Sequence, residues 1–146
     1  MQRLTSWAEF QAVMAAGAIA RSPHFVLHCA LFDAPGGAAL PEAEWPAPLR
    51  PLAAGPHTWL AGFTPKRWAR RAVTRNAVRR QIDNVGRALQ AQLPRAAYLV
   101  RLRAAIDRAD YPSASSVRLR TDLRLELEQL FAHGLARLAA TAGAAR

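Results

Sequence analysis

The segment 68–92, WARRAVTRNAVRRQIDNVGRALQAQ, leaves a chain few ways to fold. At about 100° per residue, Val78, Ile82, Val85 and Leu89 fall in one narrow arc, the mark of a helix with a single buried stripe. Asn76, Arg80 and Arg87 lie almost opposite that arc, and Arg75 and Arg79 flank it. The spacing predicts a helix over 68–92 that packs on one side and presents a ring of cations on the other. Pro94 ends it, because the residue before a proline disfavours the helical region. The Glu–Arg partners that usually stitch a charged helix at i, i+4 are missing, so these cations gain nothing from their own helix. Between Lys66 and Arg87 eight basic residues face one acid, Asp83, which supplies +7 of a net charge of +10. Such a surface calls for a polyanion, with nucleic acid the first candidate. Arginine suits that task, since its planar fork grips two phosphate oxygens and stacks on exposed bases.

The rest of the chain supplies a body for this helix. Residues 5–16, TSWAEFQAVMAA, predict a short helix capped by Thr5 or Ser6, with Glu9 in its first turn and an end near Gly17. HFVLHCALF at 24–32, TWLAGFT at 58–64 and AYLVRLR at 97–103 read as strands, the last with arginines on one face. Leu123, Leu127, Leu130, Phe131, Leu135 and Leu138 hold helical spacing in a closing helix. The expected order is helix, strand, strand, helix, strand, helix: an α+β class chain, with 146 residues fitting a single domain over 1–146. Residues 33–57 carry six prolines and little periodicity, and read as a long loop or partly disordered insertion. Removing 35–55 is expected to leave the fold intact. The lone Cys29 lies in an apolar run and is assigned to core packing, which fits a reducing cytosol. There is no apolar run of roughly 18 residues for a membrane span and no signal-peptide core; the expected location is cytoplasmic, away from membranes.

Protein-borne catalysis is not expected. Histidines 24, 28, 57 and 133 are scattered, and His24 and His28 on a strand span about 13 Å. The acids do not cluster beside them, as a two-metal centre would require.

The segment KRWARRAVTRNAVRR, 66–80, resembles the arginine-asparagine-arginine motif of the bacterial ribonuclease P protein. LTSWAEFQAVMAAG, SPHFVLHCALF and TDLRLELEQLFAHGL resemble that family's opening helix, first strand and closing helix, so the resemblance spans most of the chain outside 33–57. It implies a small two-layer α+β sandwich with a central sheet, ribosomal-protein-S5-domain-2-like, with a left-handed βαβ crossover at the motif helix. It also implies a protein subunit of a ribonucleoprotein endonuclease that removes the 5′ leader of precursor tRNA, the RNA subunit carrying the chemistry. Residue by residue, it implies RNA binding by Lys66, Arg67, Arg70, Arg71, Arg75, Asn76, Arg79 and Arg80, and a leader cleft at Phe10, Met14, His28 and Thr64. The implied partners are the catalytic RNA and precursor tRNA; Mg2+ would act through RNA and substrate phosphates. The chain departs from the motif at Ala77, Asp83-Asn84 and Pro65, and at Met14 and His28 where the family favours aromatics. The alternative is a general or ribosome-associated basic RNA-binding module. DNA-specific binding is not expected, for want of a recognition-helix pair.

Overall fold

The computed structural model describes residues 1–34, 37–107, 109–113 and 116–144, with side chains to residue 141. Residues 35 and 36 of the proline-rich segment, and 108, 114 and 115 of the connection before the last helix, lie outside the described residues. The elements are β1 (Gln2–Arg3), α1 (Trp7–Ala16), β2 (Ala18–Arg21), β3 (Phe25–Leu31), α2 (Arg50–Ala53), β4 (Trp59–Phe63), α3 (Ala72–Leu89), β5 (Ala96–Leu102) and α4 (Val117–Ala144). The strands form one mixed sheet in the order β1-β4-β5-β3-β2. β4 and β5 are parallel neighbours joined through α3, which makes the βαβ unit; β3 pairs antiparallel with both β5 and β2, and β1 runs parallel to β4.

Alternation along the strands gives the sheet two apolar faces. Phe25, Leu27 and Cys29 of β3, Leu60 of β4 and Tyr98, Val100 and Leu102 of β5 face α3 and α4, where Val78, Ile82, Val85, Leu123, Leu127 and Phe131 complete the larger core. Cys29 is buried there, as expected. This sheet-on-helices pair is the two-layer sandwich. The opposite face, with Ala30, Ala61, Ala97 and Leu99, is partly covered by Val13 of α1 and by Leu4, Phe32, Leu49 and Ala53.

Leu49 and Ala53 belong to the segment read as a long loop or partly disordered insertion, and its described residues are ordered and packed against the sheet rather than loose. Residues 42–44 and 47–49 form 3-10 turns and 50–53 a helical turn. Trp45 Nε1 donates to the Phe32 carbonyl (3.1 Å). Arg95 pairs with Asp33 (2.8 Å) and also donates to the carbonyls of Ala53 (2.6 Å) and Gly55 (2.7 Å), tying both ends of the segment to the start of β5. Proline suits such a segment because its fixed φ lowers the entropy cost of ordering it.

Two further differences concern element bounds. α3 begins at Ala72, four residues later than predicted. The Trp68 carbonyl accepts from the Ile106 N–H (2.9 Å), and those of Ala69 and Arg70 accept from the Arg75 guanidinium (3.0 and 2.8 Å). Carbonyls committed to those partners are not available to a first helical turn. β1 and β2 were not foreseen. β2 follows Gly17, whose φ of +121° few side chains tolerate, and a Ser22–Phe25 turn returns the chain into β3.

Candidate nucleic-acid interface

α3 lies against β4 with little between them. A Cβ at Gly62 would come within 2.9 Å of Ile82 Cδ1 and 3.3 Å of Arg79 Cγ, so the glycine permits the close approach. The polar side of α3 therefore looks across the β4 edge, and a groove of about 730 Å³ opens there. Asn76, Arg79, Arg80, Asp83 and Arg87 line it from α3, Arg3 and Leu4 from β1 and the residue after it, Phe63 and Thr64 from the end of β4, and Phe10 from α1.

Arg79 is fixed inside this groove. One guanidinium nitrogen donates to Thr64 Oγ1 (3.0 Å) and the other to Asn76 Oδ1. Holding a long cation in one rotamer before a ligand arrives lowers the entropy cost of binding. Arg3 is held likewise, by Asp83 at 2.7 Å; the one acid of the basic segment positions a cation on the facing strand. Arg80 and Arg87 are exposed in the same groove.

The remaining motif cations sit elsewhere. Lys66, Arg67 and Arg70 are exposed on the turn before α3, with the Arg67 guanidinium 5.0 Å from the Trp68 ring centre. Arg71 donates to the Pro112 carbonyl (3.3 Å). Arg75 is folded back on Ala69 and Arg70, so its side chain ties the basic turn to the helix. The eight motif positions thus divide into a turn group, a tether and a groove group of Asn76, Arg79 and Arg80.

The four expected cleft residues separate in the same way. Phe10 and Thr64 line the groove, although Thr64 is 7% exposed and its oxygen serves Arg79. Met14 packs against the smaller core. His28 is 7% exposed on β3, with Nε2 3.5 Å from Arg101 Nε and Nδ1 without a hydrogen-bond partner among the described residues. Burial first, then the Arg101 and Arg21 charges, push its pKa down to about 4, so the ring is neutral at pH 7.

Sequence reasoning missed Arg3, Trp7 and Phe63. Arg3 lies on a two-residue strand that no pattern reveals. Trp7 stands three residues before Phe10, a spacing that stacks side chains on one helix face, and that was the available signal.

A mixed sheet with a groove of pre-positioned arginines beside aromatic rings defines a basic α+β protein. The family model described as Ribonuclease P matches residues 1–131, and the chain belongs to the ribonuclease P protein family. It is 33% identical over 129 residues to the ribonuclease P protein component of Ralstonia pickettii (strain 12J), covering 88% of this chain and 76% of that one. Its fold is similar to that of the Staphylococcus aureus RNase P protein, with a TM-score of 0.59 at 17% identity, over 90% of this chain and 93% of that one. No helix among the described residues is long and apolar enough to cross a membrane.

Proposed function

We propose that this chain is the protein subunit of a bacterial ribonuclease P: it binds the catalytic RNA and the 5′ leader of precursor tRNA, and the RNA performs the cleavage. The observation that carries the reading is Arg79 held between Thr64 and Asn76 in a groove with Arg3, Arg80 and Arg87 on its walls. A single strand offers phosphates at regular intervals and bases with free faces. The groove cations take the phosphates and Phe10 supplies an aromatic surface. The turn cations Lys66, Arg67 and Arg70 stand apart from the groove, which suits contact with the catalytic RNA. Arg71 and Arg75 shape that turn.

Met14 and His28 contribute to leader binding through the sheet face behind Phe10. His28 is neutral there and adds no charge to that face. Magnesium fits better on the RNA and substrate phosphates than on the groove, whose carboxylate, Asp83, is already paired with Arg3. The setting for tRNA processing is the cytoplasm.

The test is 5′ cleavage of a precursor tRNA by a bacterial ribonuclease P RNA at low magnesium, with and without the full chain and its Asn76→Ala/Arg79→Ala variant. Strong stimulation that the folded variant loses supports the reading. Absence of stimulation, with precursor and mature tRNA bound equally, reduces the protein to a general basic RNA-binding module.

A further inference from the structure

The proline-rich segment and α1 meet on one face of the sheet. α1 is ten residues long, and a helix shorter than about 12 residues is marginal on its own. The Ser6–Glu9 capping box and the Gly17 turn fix where α1 begins and ends. They do not fix where it lies on the sheet; packing does. Val13 is the one buried residue of α1. It shares an apolar cluster with Phe32, Leu49 and Ala53, against which Phe10 and Trp45 also pack. The Ala47–Leu49 turn touches α1 directly.

The segment is itself anchored away from the groove. Arg95, just ahead of β5, pairs with Asp33 (2.8 Å) and donates to the carbonyls of Ala53 (2.6 Å) and Gly55 (2.7 Å). Trp45 donates to the Phe32 carbonyl (3.1 Å), with its ring 6.3 Å from that of Phe32. β4 and β5 are parallel, and the groove opens at the opposite end of β4, at Phe63 and Thr64. An anchor at one end of the sheet thus reaches, through Leu49, the helix whose Phe10 lines the groove at the other. Interiors packed like crystals pass a displacement on to their neighbours and do not absorb it. Building on the holoenzyme reading, we infer that residues 47–53 are a brace that holds α1 at a set distance from β4, with Leu49 the positioning residue, and so fixes the width of the groove for a single-stranded leader. The turn cations Lys66, Arg67 and Arg70 do not line the groove, and mature tRNA has no leader. Neither contact depends on the brace.

The test uses the full chain assembled with a bacterial ribonuclease P RNA, and measures affinity for that RNA, for precursor tRNA and for mature tRNA at a temperature where each variant is folded. A remote substitution that moves a binding group by about 1 Å can cost up to about 10²-fold. Leu49→Ala is expected to weaken precursor binding about tenfold, to leave the other two affinities unchanged, and to be rescued by the volume-conserving Leu49→Met. Arg95→Gln, which releases the anchor without opening a cavity, should give the same pattern and decides the matter if Leu49→Ala does not fold. Leu127→Ala is the control, since Leu127 is as fully buried but lies in the larger core under α4; it should leave precursor binding intact. The brace is overturned if the folded Leu49 and Arg95 variants keep full precursor affinity, if mature tRNA binding falls equally, or if Leu127→Ala loses as much. In each of those cases a wild-type preference for precursor keeps the holoenzyme reading intact. Without that preference the holoenzyme reading fails, and the brace fails with it.

Discussion

His24 immediately precedes β3 and His28 lies four residues on, in the middle of that strand, and the fold drives them in opposite directions. His24 Nδ1 lies 2.7 Å from Glu126 Oε1, while Glu126 Oε2 accepts from the His24 backbone N–H (2.8 Å) and from the Ser22 hydroxyl. The Glu126 hydrogen bond raises the His24 pKa, against burial and the nearby Arg103 charge, with Asp110 adding a smaller upward push. Burial alone would raise the Glu126 pKa, yet its bonds to His24 and Ser22 hold it below the ordinary value. A raised histidine pKa means stability fully present below the unfolded value of about 6.5 and lost as pH climbs through the folded one. For His28 the sign reverses: its pKa of about 4 means stability present above about 6.5 and lost as pH falls toward 4. The melting temperature should therefore pass through a maximum near neutrality. Thermal melts from pH 4 to 9 are expected to show His24→Gln flattening the alkaline limb and His28→Phe the acid one. The alkaline slope should be modest, because the His24–Glu126 pair is partly open to solvent; an alkaline limb unchanged in His24→Gln would refute the assignment.

At the scale of elements, the proline-rich segment gives the plainest test. Leu49 is fully buried and packs with Phe32, Ala53 and Leu99 across the sheet face. Leu49→Ala should cost about 2–5 kcal/mol, and deleting 35–55 should cost more, since it also strips the carbonyl partners of Arg95. Urea denaturation measures both, and a deletion variant as stable as the parent would show that this face needs no cover. The sequence hid the packing because the helical spacing of Trp45, Leu49 and Leu52 lasts only two turns and is interrupted by Pro46, Pro48 and Pro51, and proline reads as a breaker before it reads as a stiffener. The long periodic elements were legible for the converse reason. β3, β4 and β5 are short apolar runs, and α4 and the body of α3 bury a regular stripe; the ranges predicted for the three strands agree with the structure to within a few residues. β1 and β2 escaped because two and four residues are too few to show a pattern; the sheet, not local preference, makes them strands. The candidate site was legible where charge patterning carried it, at Asn76, Arg79 and Arg80. It was illegible where assembly creates it: the Arg3–Asp83 pair spans 80 residues, and Trp7 meets Phe63 only through the docking of α1 on the sheet.

For the molecule as a whole, the question is whether the net charge of +10 acts as a diffuse field or through a few placed groups. The proline-rich segment 33–57 sums to −2 from Asp33, Glu42, Glu44 and Arg50, whereas 66–87 sums to +7. The two segments therefore carry net charges of opposite sign. α4 adds exposed arginines of its own, including Arg118 and Arg124, and neither lines the groove. A diffuse field would respond to the loss of any two arginines alike. Placed contacts would not, because each single-strand phosphate neutralised in contact adds about 0.7 to the magnitude of the slope of log K against log salt. Binding of a short single-stranded leader oligonucleotide between 50 and 300 mM salt, about a sixfold range over which such slopes are well resolved, separates the two. Arg79→Ala/Arg80→Ala is expected to reduce the slope by about 1.4, and Arg118→Ala/Arg124→Ala to leave it within error of the parent. Equal reductions by both pairs would mean that the groove is no more than the densest part of a uniformly basic surface.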